Sequence, residues 1–96
     1  MDYRSNQNAD LPGLAKLGER GPPSHLVNEL VAAAGHAAKG RVIIAEQRLR
    51  IERLARHGRS TEHSERLLDT FLLTQLCLED HERHIREEVE VASPRR

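Results

Sequence analysis

The densest set of metal-type side chains lies near the end of the chain, in the run Leu78-Glu79-Asp80-His81-Glu82-Arg83-His84-Ile85-Arg86-Glu87-Glu88. His81 and His84 stand three apart, and Asp80 and Glu88 each stand four from His84. On a helix those spacings share one face, so imidazole nitrogens and carboxylate oxygens could converge on one cation. Helical bundles that bind paired metals carry a Glu-x-x-His motif on two helices together with further glutamates, and this chain has no such motif. His36 is the only histidine at a matching height in the preceding segment, and no carboxylate accompanies it. His81, His84 and Glu88 therefore read as part of a charged, exposed face, with no resident metal and no cofactor expected. Cys77 has His81 four residues on, but nothing in the sequence supplies an oxyanion site. It reads as a small apolar filler, and the chain is not expected to be an enzyme.

Two other patterns carry chemistry. Gly35-His36-Ala37-Ala38-Lys39-Gly40-Arg41 sets an imidazole, an ammonium and a glycine within one turn and a half. Arg41, Arg48, Arg50, Arg53, Arg56 and Arg59 make a basic end that can lie against phosphates. Against that stand the balanced total of fifteen basic and fifteen acidic residues, the nearby Glu62, Glu65 and Asp69, and the lack of stacking aromatics, with one Phe, one Tyr and no Trp. Nucleic acid is not expected as a specific partner, and no overall field draws the chain to an anionic membrane.

The elements that must position these groups are helices. Ninety-six residues allow one small domain. Abundant Ala, Leu, Arg and Glu with few aromatics predict an all-α protein. A single cysteine excludes an internal disulfide. The opening Met1-Asp2-Tyr3-Arg4-Ser5 has no apolar signal core, and no window approaches the length of a membrane span, so a cytoplasmic location is expected. Residues 1–23 mix Gly, Pro and charge and read as a flexible N-terminal arm. From Ser24, a candidate N-cap, apolar periodicity predicts a helix over about 25–57, closed by His57 and Gly58. Ser60 or Thr61 can cap a second helix over about 62–90, with Glu62 and Glu65 near its positive end. The domain is thus a helical hairpin over 24–92, with 93–96 a disordered tail.

Alternating three- and four-residue spacing picks out Leu30, Ala33, Ala37, Gly40, Ile44, Gln47, Ile51 and Leu54 on the first helix. On the second it picks out Leu68, Phe71, Gln75, Leu78, Glu82, Ile85, Val89 and Ala92. A turn centred near residue 61 would stack Leu54 on Leu68, Ile44 on Leu78, Gln47 on Gln75 and Gly40 on Glu82. Gln47 and Gln75 would then form a polar layer that disfavours other registers.

Apolar surface remains outside that seam. Val27, Val31, Ala34, Ala38, Val42, Ala45 and Leu49 form a second stripe, and Leu72, Leu73, Leu76 and Cys77 lie off the seam of the second helix. Val31, Val42, Leu49, Leu72, Leu73 and Leu76 are the expected interface of a homodimer, in which two hairpins make a four-helix bundle. An unidentified protein partner is the other candidate for this stripe. Residues 41–59 hold six arginines against two glutamates, and residues 79–90 hold six acids against two arginines, so an antiparallel dimer would set opposite signs side by side.

His36, Lys39 and Gly40 resemble the His-x-x-Lys-Gly core of histidine phosphotransfer domains. That resemblance implies an imidazole that accepts phosphate, a lysine that steadies its charge and a glycine that clears access for a response regulator. The following Arg41-Val42-Ile43-Ile44-Ala45-Glu46-Gln47 and the single remaining helix depart from that family's self-contained bundle. Over residues 36–85 the chain also resembles a group of short, largely uncharacterised alphaproteobacterial proteins. The shared pattern is His36 and Gly40, Gln47, Ile51 and Leu54, the Gly58 turn, Leu67-Leu68 and Phe71, and His81. These are packing residues, so the resemblance implies a helical hairpin and no activity. The function expected is that of a small non-catalytic adaptor or regulator acting by protein contact, with a phosphotransfer accessory built on His36, or a weak nucleic-acid-associated protein, as alternatives.

Overall fold

The computed structural model describes residues 21–93, and the expected N-terminal arm up to residue 20 and the tail from residue 94 lie outside them. Two helices, α1 (Ser24–Arg56) and α2 (Glu62–Ala92), pack against each other as a hairpin. At 1.5 Å per residue, the 33-residue α1 is about 50 Å long.

The helix ends show how local chemistry sets these limits. Ser24 is the first helical residue instead of the cap: Pro23 holds the N-cap position, and its carbonyl accepts from the Leu26 and Val27 amides. A proline carbonyl just before the first turn satisfies donors that a serine hydroxyl would otherwise take. At the other end Gly58 adopts φ 66°, the left-handed conformation expected of it. The Arg59 amide donates to Leu54 O at 2.9 Å and the Gly58 amide to Ala55 O at 3.0 Å, the pair of bonds that defines a Schellman closure. His57 Nδ1 lies 2.8 Å from Arg53 O, so a further carbonyl at the negative helix end gains a partner. At the start of α2, Thr61 makes no cap to the backbone and instead donates its hydroxyl to Glu65 at 2.8 Å, while Ser60 Oγ accepts from the Glu62 amide at 3.4 Å. The second helix runs two residues beyond its expected end, to Ala92.

Every residue assigned to the two seams is buried or half-buried, so periodicity located the contact faces correctly. The register between those faces differs from the expected one. Gly40 opposes Gln75, one heptad short of Glu82: a Cβ built on Gly40 would collide with Gln75 Oε1 and lie 3.0 Å from its Cδ and 3.4 Å from Leu78 Cδ1. The two glutamines consequently do not meet. Gln75 Nε2 donates to Ala37 O at 2.8 Å and Gln47 Nε2 donates to Ser64 O at 2.9 Å. Each glutamine reaches over a small residue of the opposite helix and uses the second lone pair of a helical carbonyl. A slip of seven residues returns every seam position to a seam position, so hydrophobic pattern alone does not separate the two registers. The short His57–Thr61 connection, together with the space over Gly40 and Ser64, selects the one observed. Glu82, freed from the position opposite Gly40, turns to Arg86 at 2.6 Å.

The resulting core is thin. Among the described residues only Ala33, Ala37 and Ile85 are buried apolar side chains, joined by Gln47, Ser64 and Gln75.

Candidate functional site: two unlike flanks of the hairpin

Labelling the seam positions a and d, with Leu30 and Leu68 at a, gives each helix an e/b flank and a g/c flank, with f at the back. Antiparallel packing sets e beside e and g beside g, so the hairpin has two distinct broad faces. The ion pair of Arg41 with Glu79, 3.1 Å, bridges the helices on the e side. Gln75 also donates to Glu79 at 2.9 Å, and these two bonds, the Gln75 amide first and the Arg41 guanidinium second, hold the Glu79 carboxyl below its ordinary range.

The e, b and f positions carry the expected interface stripe. Val31 is 66% exposed, Val42 55%, Leu49 55%, Leu73 67% and Leu76 69%. Leu72 departs from the rest, being half-buried where it leans into the side of the seam. Val31 and Leu49 lie nine residues on either side of the midpoint of α1, so the stripe spans much of the hairpin's length. Cys77 is exposed, which corrects its reading as a filler: it sits at position c, pointing away from α1.

The opposite flank is polar and grooved. His36, Lys39, Ile43, Thr70 and Thr74 rim a depression of about 490 Å³ floored by Gly40, Phe71, Gln75 and Leu78. His36 and Lys39 are therefore exposed on one flank, as phosphate transfer would need. Gly40, however, is occupied: it accommodates Gln75 and leaves no clear approach over its own backbone. At the turn, Arg50, Arg53, Leu54, His57 and Arg59 line a second concavity, which gathers three of the six arginines of α1 and the turn.

The metal candidates stay apart. Among the described residues no group of three or more His, Cys, Asp or Glu side chains converges to hold an ion. His84 pairs with Asp80 at 3.5 Å, Arg83 bonds Asp80 and lies 4.0 Å from Glu87, and Glu88 lies beside His84 and Val91 at the open end. Asp80, which could have joined His81 and His84 on a cation, is engaged with Arg83, an i to i+3 pair on the same helix.

Compared with known proteins, the chain matches no family model, no curated protein and no solved structure. None of the described helices is long and apolar enough to cross a membrane.

Proposed function

We propose that the protein acts without catalysis, as a self-associating helical hairpin in which a second copy covers the e, b and f face and completes a four-helix bundle, the form in which it serves as a small adaptor or regulator. The observation that carries this reading is the contrast between three buried apolar side chains and five valines and leucines left more than half exposed, Val31 and Leu76 on the e/b flank and Val42, Leu49 and Leu73 at the backs of the helices. Apolar surface of that extent costs free energy in water, roughly 25 cal/mol per Å², and a two-fold partner removes it from both copies at once. The charges favour an antiparallel arrangement, since the turn half is basic and the open half acidic.

The test is solution mass by light scattering over a dilution series, with Leu73→Glu and Leu76→Glu as paired variants. A persistent mass of twice 10.9 kDa that falls to 10.9 kDa in the variants supports the dimer. A monomer at every concentration refutes it. A second reading, phosphate acceptance at His36, draws support from the shared exposed rim of His36 and Lys39. Loss of acid-labile phosphate from the chain in a His36→Gln variant would uphold that reading.

A further inference from the structure

All six histidines of the chain, His25, His36, His57, His63, His81 and His84, occupy positions c and g. Those are two of the five heptad positions outside the seam, and the antiparallel fold merges them from both helices into one flank. The groupings on the surface agree. His36 shares a groove with Ile43, Thr70 and Thr74, His57 shares one with Arg50 and Arg53, and His84 shares one with Glu88 and Val91. Every one of the six is exposed. The e, b and f face carries none.

The fixed charges of this flank cancel. Lys39, Arg50 and Arg53 stand against Glu29, Glu46 and Glu88 at the c and g positions. From neighbouring positions, among the described residues, Asp80 lies 3.5 Å from His84, Glu87 lines the same concavity as His84 and Arg59 the same one as His57, while His57 Nδ1 faces the Arg53 carbonyl. Histidine is the side chain whose charge changes between about pH 5 and 8. Mild acidification therefore adds positive charge to the flank that carries the histidines, and the e, b and f positions carry no histidine. The flank is open in a single hairpin and equally in a bundle joined through e, b and f.

We propose that this histidine flank is an acid-switched docking surface for an anionic phospholipid bilayer. Two helices side by side give a strip about 50 Å long, and charge complementarity with an anionic surface arises only when the histidines are protonated. Ile43, Leu67 and Val91 are exposed on the same flank and would supply the apolar contact with the boundary between headgroups and acyl chains. A nucleic acid finds less here: Phe71 is half-buried in the groove floor, and the three fixed cations are offset by three carboxylates.

The experiment is co-sedimentation of the full chain with vesicles of phosphatidylcholine alone or with roughly one-third phosphatidylserine, at about pH 7.5 and about pH 5.5. Partition onto the serine-containing vesicles should rise at least about tenfold at the lower pH and collapse in high salt. A triple variant, His36→Gln with His81→Gln and His84→Gln, should lose most of that rise with unchanged helical circular dichroism. The corresponding triple lysine variant should bind at the higher pH. Equal partition at both pH values would overturn the proposal, as would an equal rise on phosphatidylcholine alone, an undiminished rise in the glutamine variant, or acid-dependent binding of duplex DNA without vesicle binding.

Discussion

Substituting Gly40 by alanine tests the observed register through a change of sign. In an exposed helix interior the substitution stabilises by about 1 kcal/mol, because glycine loses more backbone freedom on folding. At this position the new methyl would collide with Gln75 Oε1, so the amide has to swing away. That forfeits the 2.8 Å bond to Ala37 O, worth about 1 kcal/mol net, and adds about 1–3 kcal/mol wherever the displaced amide stays buried without a partner. The unfavourable contributions outweigh the favourable one, and Gly40→Ala should destabilise by about 1 kcal/mol, or about 4–8 °C in Tm for a domain of this size. In a Gln75→Ala background the collision is gone. There the same substitution should stabilise by about 1 kcal/mol, with Leu78 Cδ1, 3.4 Å away, giving by a few tenths of an ångström. The four proteins form a double-mutant cycle with a coupling of about 2 kcal/mol, read by urea unfolding at 222 nm and a single fixed protein concentration. If Gly40→Ala stabilises equally in both backgrounds, Gln75 does not fill the notch and the reasoning fails. Coupling to Glu82→Ala instead would show the register one heptad away.

Two further outcomes follow from the turn and from the e flank. Gly58→Ala should cost about 1–2 kcal/mol in the same unfolding assay, because φ 66° is strained for a side chain even though no atom crowds the site. Glu79 is held below its ordinary range, so its contribution is present above the unfolded carboxyl value, about pH 4.3, and is lost as pH falls through the lower folded value. A Glu79→Gln variant should therefore show a flatter dependence of the urea midpoint on pH across that acidic window, and an unchanged slope there would contradict the assignment.

Much of the hairpin is legible in the order of the residues. The three-and-four spacing from Leu30 to Leu54 and from Leu68 to Ala92 names the contact faces, because a helix repeats its surface every 3.6 residues. Gly58 names the turn, because a closing residue in the left-handed region is nearly always glycine. The stripe of Val31, Val42, Leu49, Leu73 and Leu76 is equally visible as apolar residues with no place in the seam. Ser24 misleads because proline carbonyls do not announce themselves as caps. Cys77 misleads because a small apolar residue suits either side of a helix.

What the tertiary structure alone decided is how the two faces meet. A heptad slip preserves every seam position, so the pairing of Gly40 with Gln75, and of each glutamine with a backbone carbonyl, depends on where the chain turns and on the volume left above Gly40 and Ser64. The histidines tell the same story on a larger scale. Spaced unevenly from His25 to His84, they keep to positions c and g of each helix, and only antiparallel packing, which sets g beside g, merges the two sets onto one surface.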